Sequence, residues 1–318
     1  MLPTQPLVTV LMPSYNAGDF LREAVDSVLN QTYSNFEFLI INDGSTDNTK
    51  DILAGYSDER IKVIHQENMG LVASLNKGID LAKGEYIARF DADDVCYPQR
   101  LMQQMTFLEK HPEYVLIGGE ADYMTEEGEH IFKFEFSAYT DEEIRAEQFK
   151  DCPFIHSTVV FLKQAVQDVG GYDPRAITFE DHQLWKKVSE KGKMMNMHEA
   201  LIKVRFNAAS ATIDEKWRGE EFIALKQRSI KTGLVADEDY KKLQQILREQ
   251  DVTAYKQAAY HSMLGKKFLW NQYQPSKARK HLGKAISIMP SKAEPYLLYL
   301  LSFLPKKWIA SIYKKAKS

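Results

Sequence analysis

The chain has 318 residues, of which 44% are hydrophobic and 27% are charged. This is the composition of a globular protein with a core, and it excludes a disordered or low-complexity chain. Its two cysteines, Cys96 and Cys152, are too few for a disulfide framework or a four-thiolate zinc site, so a reducing compartment is expected. The opening residues MLPTQPLVTV lack the charged start and apolar stretch of a secretory signal, which favours a cytoplasmic location.

The net charge of −3 is unevenly distributed along the chain. Residues 251–318 contain 13 Lys or Arg and only two acidic residues, a net charge of +11 against −14 for the first 250 residues. A basic C-terminal part predicts an anionic neighbour such as lipid headgroups, with nucleic acid the least favoured partner. The segment Tyr296–Leu304 is apolar but far shorter than the roughly 20 residues that span a bilayer, and lysines follow it. We therefore expect either a peripheral membrane contact or a core or oligomer contact here.

Apolar runs alternate with helical patterns through the first half of the chain. Strands are predicted over Leu7–Met12, Phe36–Ile41, Ile61–Ile64 and Glu85–Phe90, and helices over Phe20–Leu29 and Leu71–Ala82. This alternation predicts an α/β fold, a doubly wound, mostly parallel sheet flanked by helices. Such sheets bind ligands beyond the carboxyl ends of their strands, so the loops PSYN, NDGSTD and DADD should meet at one edge.

Beyond residue 113 the pattern is looser. Tyr114–Gly118 is apolar, strands are predicted at Glu129–Phe136, Val159–Leu162 and Leu201–Phe206, and helices at Asp141–Phe149 and Asp181–Glu190. From about residue 216 onward only helical patterns occur. We therefore predict a catalytic domain over residues 1–215 and a helical C-terminal region over residues 216–318.

The sequence Asp91-Ala92-Asp93-Asp94 follows a predicted strand. Carboxylates at this spacing can offer oxygen ligands to Mg²⁺ or Mn²⁺, which commonly share their coordination with substrate phosphates. Taken alone, the same residues also fit an Asp-rich turn that caps the helix predicted over Gln99–Lys110.

Three further segments carry candidate groups, each with a structural alternative. Asp43 could accept a hydrogen bond from a base or a ribose, or could simply belong to a turn in which Asp47 caps a helix. Tyr15 offers an aromatic face for base stacking, or is an ordinary loop residue. Glu180-Asp181 could supply a general base, or cap the helix that follows.

In this order along the chain, the segments resemble family 2 glycosyltransferases of the GT-A fold. The matching text is VLMPSYN, FLIINDGSTDNT, NMGLVASLNKGIDLAKGEYIARFDADD, the GGYDP segment at Gly170–Pro174 and EDHQLW, and the resemblance covers residues 7–205. It implies a nucleotide-sugar donor, most often a UDP-sugar, and transfer with inversion to a hydroxyl of a glycan or lipid-linked acceptor, as in bacterial polysaccharide or glycolipid assembly.

The resemblance also implies roles for individual residues. Tyr15 and Asp43 would contact the base, with Pro13 and Asn16 lining its pocket, and Asp91 would address the ribose. Asp93 would ligate Mn²⁺ or Mg²⁺, with Asp94 sharing metal or sugar contacts. Asp181 would be the catalytic base, with Glu180 beside it on the sugar side.

The chain departs from the family pattern at one position, and two alternative functions also fit its sequence. Many relatives carry a histidine where this chain has Asn207, which places that metal or phosphate contact in doubt, and His156 and His198 are weak substitutes. The text FDADDV also fits a haloacid-dehalogenase-type phosphohydrolase, with Asp91 as nucleophile. A non-catalytic protein that binds sugar nucleotides is the third reading.

Overall fold

The computed structural model describes residues 5–207, 219–249 and 252–317. Its strands are β1 Val8–Ser14, β2 Phe36–Asp43, β3 Ile61–Gln66, β4 Tyr86–Arg89, β5 Val95–Cys96, β6 Tyr114–Met124, β7 His130–Phe134, β8 Val160–Leu162 and β9 Lys193–Arg205. Its helices are α1 Leu21–Leu29, α2 Thr49–Ala54, α3 Leu71–Leu81, α4 Arg100–Lys110, α5 Asp141–Glu147, α6 Lys163–Gln167, α7 Glu180–Val188, α8 Glu220–Thr232, α9 Asp237–Glu249, α10 Thr253–Trp270, α11 Pro275–Ile288, α12 Ala293–Leu301 and α13 Lys306–Lys317.

The strands form one sheet in the order β3-β2-β1-β4-β8-β6-β9-β5, with β7 beside β6. The pairs among β3, β2, β1 and β4 are parallel. Strand β8 runs antiparallel to both β4 and β6, and β5 runs antiparallel to β9. The predicted α/β class with flanking helices is confirmed. The sheet is mixed: its parallel part consists of the four strands from the N-terminal third of the chain, and antiparallel strands follow.

The register of the parallel strands places the polar loops at one edge. Every residue of β1 is buried, which explains the unbroken apolar character of its sequence. Ser14 at the end of β1 pairs with Asn42 of β2, and Leu11 pairs with Arg89 at the end of β4. The segments that follow β1, β2 and β4 therefore start from neighbouring strand ends, as predicted.

The core beneath this edge is made by the sheet and the helices α3, α6 and α7. Leu11 and Ile41 contribute from the sheet, Leu75 from α3, Val166 from α6 and Trp185 from α7, all of them buried. Because α3 and α7 take part in this core, their N-terminal residues are held near the carboxyl ends of the parallel strands.

As far as its described residues go, the chain divides into two compact units. One comprises Met1–Asp122, Lys133–Val204 and Ala224–Tyr240, and the other comprises Tyr123–Phe132, Arg205–Ile223 and Lys241–Ser318. The predicted domain boundary at residue 215 lies outside the described residues and stays a prediction. Residues 219–249 and 252–317 contain helices as their only regular elements, in line with the predicted helical C-terminal region.

Several elements differ from the sequence prediction. The short β5 and the helix α6 were not predicted, and β9 begins eight residues before the expected strand at Leu201. The first half of β9 contains exposed and half-buried side chains, so its sequence lacks an apolar run, and it is set by pairing with distant strands. In the described part of the chain, none of the helices has the length and apolar character required to cross a bilayer.

Candidate functional site

The loops after β1 and β2 are joined by Asn16. Its backbone lies in the left-handed region with φ of 50°, and its Oδ1 accepts a hydrogen bond of 2.8 Å from the backbone N–H of Thr46. The backbone N–H of Asn16 donates to Ser45 Oγ at 3.0 Å. Asn16 therefore fixes the shape of the predicted base pocket, and direct contact between its side chain and a base stays a prediction.

Asp47 adds a second link between the same loops. Its Oδ1 accepts from the backbone N–H of Thr49 at the start of α2, and its Oδ2 accepts from the backbone N–H of Gly18. Although burial opposes ionisation, the hydrogen bonds from Thr49 and Gly18 lower the pKa of Asp47. Asn48 occupies the N-cap position of α2, so Asp47 is not the N-cap itself, but its carboxylate accepts from the first N–H of the helix.

The other two residues of the PSYN loop differ in exposure. Pro13 is buried as part of β1, whereas the Tyr15 side chain is 52% exposed. An aromatic ring with half its surface in water has a face available for a ligand to cover. The stacking role of Tyr15 stays a prediction.

Asp43, the last residue of β2, is 4% exposed and its carboxylate holds the loop after β3. Oδ1 accepts from Gln66 Nε2 at 2.7 Å and from the backbone N–H of Met69 at 2.9 Å. Oδ2 accepts from the backbone N–H of Gly70 at 2.8 Å. In this structure the carboxylate therefore orders residues 66–70, and its predicted contact with a base stays a prediction.

Arg89, which ends β4, lies almost fully buried and forms an ion pair with Asp91. Burial disfavours the guanidinium, but the Asp91 carboxylate outweighs that effect and the pKa of Arg89 is raised. The backbone N–H of Asp91 donates to Ser157 Oγ at 3.1 Å. Within the same turn, Asp93 is half-buried and Asp94 is buried.

Tyr172 from the GGYDP segment is held by two partners. Its backbone N–H donates to Asn76 Oδ1 and its carbonyl accepts from Asn76 Nδ2, both at 2.9 Å. Its hydroxyl lies 2.7 Å from His156 Nε2. Burial, together with the positive charge of Arg89, lowers the pKa of His156 well below its ordinary value, so the imidazole is neutral.

Gly171 makes this arrangement possible. Its φ is 70°, a conformation that side-chain-bearing residues rarely adopt. A Cβ at this position would lie 2.7 Å from Asn76 Oδ1. The pairing of Asn76 with the backbone of Tyr172 thus requires a glycine immediately before Tyr172.

Glu180 and Asp181 are the first two residues of α7, where the helix dipole favours negative charge. Phe179 occupies the N-cap position, so neither carboxylate is the N-cap of the structural alternative. Asp181 Oδ1 accepts from the backbone N–H of His182 at 2.6 Å, and Cys152 Sγ donates to Asp181 Oδ2 at 3.6 Å.

Carboxylates of two distant segments act electrostatically on the Tyr172 hydroxyl. Burial raises the pKa of Tyr172 well above its ordinary value, and the Arg89 guanidinium opposes this rise. The negative charges of Asp181, Glu180 and Asp91 all add to it. The DADD turn and the start of α7 therefore lie within electrostatic range of one phenol.

Asp43 is connected to the same region through α3. Gln66 donates one hydrogen bond to Asp43 and another, of 3.0 Å, to Ser74 Oγ on α3. Two residues further along α3, Asn76 holds Tyr172. Hydrogen bonds through α3 thus connect Asp43 with the Tyr172 segment, whose phenol lies within electrostatic range of Asp91 and Asp181.

The DADD turn offers carboxylate oxygens, the donors that Mg²⁺ and Mn²⁺ prefer. In the described part of the chain, no three His, Cys, Asp or Glu residues are grouped to hold a metal ion by themselves. The carboxylates of this turn can share a cation with the diphosphate oxygens of a substrate. The donor set suits a metal that binds together with its substrate.

Sequence reasoning missed Arg89 and Asn76 and treated the two candidate histidines as weak ligands. His156 bonds to Tyr172, and His198 stacks on Tyr139 with ring centroids 3.8 Å apart. Tyr172 could have been found, because it lies in a segment that carried the family resemblance. An arginine inside an otherwise apolar strand was the available signal for Arg89, since a buried cation requires a nearby acid.

Residues 9–170 match the family described as "Glycosyl transferase family 2", and the chain belongs to this family. It is 38% identical over 208 residues to the protein named "Putative glycosyltransferase EpsE" of Bacillus subtilis (strain 168). The match covers 63% of this chain and 73% of that protein. Glycosyl transfer is therefore its class of activity, and the phosphohydrolase reading of the DADD segment is set aside.

Two solved structures share the fold. TarS 1-349 of S. aureus in complex with UDP has a TM-score of 0.55 and 16% identity, covering 97% of this chain and 91% of that one. The mannosyltransferase PcManGT of Pyrobaculum calidifontis, in complex with GDP-Man and Mn²⁺, has the same TM-score and identity and covers 97% of this chain and 84% of that one. These likenesses agree with the GT-A fold class.

Proposed function

We propose that the chain is an inverting, metal-dependent glycosyltransferase that moves a sugar from a nucleotide-sugar donor, most simply a UDP-sugar, to a hydroxyl group. The observation that carries the proposal is that Asp91, two residues after the carboxyl end of β4, and Glu180 and Asp181 at the start of α7 all act electrostatically on the buried Tyr172 hydroxyl. A nucleotide-sugar donor contains a diphosphate and a sugar, so its site needs acidic groups both at the diphosphate and at the sugar.

On the donor side, Tyr15 stacks on the base and Asp43 accepts a hydrogen bond from it, while Pro13 and Asn16 shape the pocket. Asp91, oriented by its ion pair with Arg89, accepts a hydrogen bond from the ribose. The UDP complex of TarS and the GDP-Man complex of PcManGT support a nucleotide-diphosphate donor.

Asp93, with Asp94 beside it, would hold Mn²⁺ or Mg²⁺. A divalent cation there supplies neutralisation of the negative charge that develops on the departing diphosphate. The complex of PcManGT with Mn²⁺ supports this choice of cofactor.

On the acceptor side, Asp181 takes the proton of the attacking hydroxyl, and Glu180 contacts the sugar. The backbone N–H of His182 and the thiol of Cys152 hold the Asp181 carboxylate through one oxygen each. An aspartate is a weak base, so positioning of the acceptor supplies much of the rate. Attack from the side opposite the leaving group inverts the anomeric centre.

The acceptor that we propose is a glycan or a lipid-linked sugar in bacterial cell-surface polysaccharide or glycolipid assembly. The reaction then takes place in the cytoplasm or at the inner face of the cell membrane. The basic composition of residues 251–318 supports the second location.

The proposal is tested first by donor binding. Melting temperatures are measured with a panel of nucleotide sugars, with and without Mn²⁺, since a bound ligand stabilises the folded state by mass action. We expect one donor class to raise the melting temperature only when Mn²⁺ is present. A panel without any metal-dependent shift contradicts the proposal.

Turnover is then measured as release of the nucleotide in the presence of candidate acceptors. Asp181→Asn should retain the donor-induced shift and lose at least about 100-fold in turnover, the range of general base catalysis. Full turnover by Asp181→Asn removes it as the base. Donor binding without turnover across a broad acceptor panel supports the non-catalytic reading instead.

A further inference from the structure

The C-terminal helices expose an unusual concentration of large apolar side chains. In the described chain twelve such side chains are exposed, and five of them fall within the 13 residues from 296 to 308. We call these five the apolar patch: Tyr296, Leu297, Leu300, Phe303 and Trp308. The exposed fractions of Leu297, Leu300, Phe303 and Trp308 are 57–67%.

The patch consists of exposed side chains on two short helices and of Phe303 in the turn between them. Helix α12 buries Pro295 and Leu298, and α13 buries Ile309. Leu300 lies three residues after Leu297 and four after Tyr296, the spacing of neighbours on a helix face. The patch therefore remains uncovered even though both helices already contribute side chains to a core.

Exposed lysines flank the patch. Lys292 lies before α12, and Lys306 and Lys307 begin α13 next to Trp308. The sequence has no acidic residue after Glu294, whose carboxylate is 2.8 Å from Lys266 Nζ. The surface thus combines exposed apolar and aromatic groups with positive charge.

We propose that the apolar patch and its lysines bind an anionic lipid bilayer, with the two helices lying in the membrane interface. Leucine and aromatic side chains insert between headgroups while neighbouring lysines contact anionic lipid, the pattern of interfacial helices. The inference rests on the proposed location at the inner face of the membrane and names the surface responsible.

Charge favours lipid over a second copy of this chain as the occupant. Two copies that met through this face would bring the same lysines together, with no carboxylate after Glu294 to pair them. An anionic bilayer instead attracts each lysine. The helices are too short and too polar to span it, so the contact is peripheral.

The test is cosedimentation of the full chain with vesicles of phosphatidylcholine, with and without added phosphatidylglycerol. We expect binding to the anionic vesicles that weakens as salt is added. Lys306→Gln with Lys307→Gln should weaken it about 20- to 30-fold, from the usual attraction of two lysines to an anionic surface. Leu300→Gln with Trp308→Gln should weaken it about tenfold or more by removing apolar burial.

Matched variants elsewhere on the chain control for composition. Lys241→Gln with Lys242→Gln neutralises another adjacent pair of exposed lysines, and Leu234→Gln replaces another leucine that is 61% exposed. Both should bind the vesicles as the unmodified chain does. Equal losses from patch and control variants, or failure of the unmodified chain to bind anionic vesicles, overturns the proposal.

Two further measurements distinguish lipid binding from dimerisation and from the proposed donor binding. Sedimentation equilibrium without lipid is expected to give the same mass for the unmodified chain and the patch variants. If the unmodified chain is instead a dimer and the patch variants are monomers, the patch binds a second copy and the lipid proposal is overturned. The donor-induced melting shift should be unchanged in the patch variants. Vesicle binding and donor binding can therefore fail independently of each other.

Discussion

Asn76 and Tyr172 lie 96 residues apart and exchange two hydrogen bonds of 2.9 Å, amide to backbone in both directions. Helix α3 thereby fixes the backbone of the segment that carries the Tyr172 phenol toward Asp91 and Asp181. A contact between two segments far apart in the sequence therefore holds the Tyr172 segment in place.

Asn76→Ala should lower the free energy of unfolding by about 2 kcal/mol, because it leaves a buried backbone N–H and carbonyl without partners. Urea unfolding measures the change. Asn35→Ala is the matched control, since the exposed Asn35 side chain donates one hydrogen bond of 2.6 Å to the carbonyl of Gln5. It should cost less than about 0.5 kcal/mol. Equal losses in the two variants would contradict the importance of the Asn76 pairing.

Asp91→Asn and Asp93→Asn should separate a structural from a metal-binding carboxylate. Asp91→Asn leaves the buried Arg89 without its counter-ion. We expect a loss of about 2 kcal/mol, less than for a fully buried pair because the Asp91 side chain is partly exposed. Asp93→Asn should abolish the Mn²⁺ dependence of donor binding. Melting curves with and without donor and Mn²⁺ measure both the loss of stability and the loss of metal dependence. An Asp91→Asn protein as stable as the unmodified chain would refute the structural role of Asp91.

Replacements of Asn16 should differ according to backbone conformation. Its φ of 50° suits glycine better than alanine. Both replacements lose the hydrogen bond to Thr46, but Asn16→Ala also adds backbone strain, so it should be less stable than Asn16→Gly by about 1 kcal/mol. Urea unfolding of the two variants gives this difference directly. Similar stabilities would mean that the loop relaxes to another conformation.

Alkylation should distinguish the two cysteines. Cys96 is buried, and burial raises the pKa of its thiol, so iodoacetamide should leave it unmodified. Cys152 is half-buried with its sulfur 3.6 Å from Asp181 Oδ2, so a carbamidomethyl group there would occupy space beside the proposed base. We expect the reagent to abolish turnover in the unmodified chain and to spare Cys152→Ser. Mass spectrometry identifies the labelled residue, and inactivation of Cys152→Ser at the same rate would refute the assignment.

Acid should weaken the fold through His261 and His281. Their Nδ1 atoms lie 3.1 Å apart, and only one of them can donate to the other while both rings are neutral. Burial lowers both pKa values, that of His281 to about 4. Between pH 6.5 and 4 the unfolded chain therefore binds more protons than the folded chain, so stability is retained above pH 6.5 and falls as the pH drops.

The histidine contribution is isolated with His281→Gln. Its free energy of unfolding should fall less over this pH range than that of the unmodified chain, by at most about 3 kcal/mol. His111→Gln is the control, because the His111 side chain is 45% exposed. Parallel pH curves for the unmodified chain and His281→Gln would show that the histidine pair does not contribute.

The parallel strands were predictable because local sequence determines them. The apolar run at Phe36–Ile41 falls within β2, and the helix predicted over Leu71–Ala82 ends within one residue of α3. The two-residue β5 was not predictable, because it depends on pairing with Ile202 and Lys203 of β9, about 100 residues away. The first half of β9 was not predictable either, because the strand is set by its place between β6 and β5 in the sheet. Such pairing leaves no periodic pattern in either segment.

The site was predictable in its acids but not in their partners. The positions of Asp43, Asp91 and Asp181 at strand or helix ends follow from motifs that the family shares. The occupation of the Asp43 carboxylate by residues 66–70 does not, since it depends on how the loop after β3 folds back. A motif identifies the acidic residues, and only the fold determines which hydrogen bonds each carboxylate already accepts.

The close approach of Gly171 to Asn76 also bears on how the sequence can change over generations. A larger residue at position 171 collides with the amide that holds the next residue, so substitution there is tolerated only after position 76 has itself become smaller. Losing Asn76 first removes the steric reason for the glycine. The two sites should therefore drift together in descendants of this gene, with Gly171 replaced only in lineages that have already abandoned Asn76.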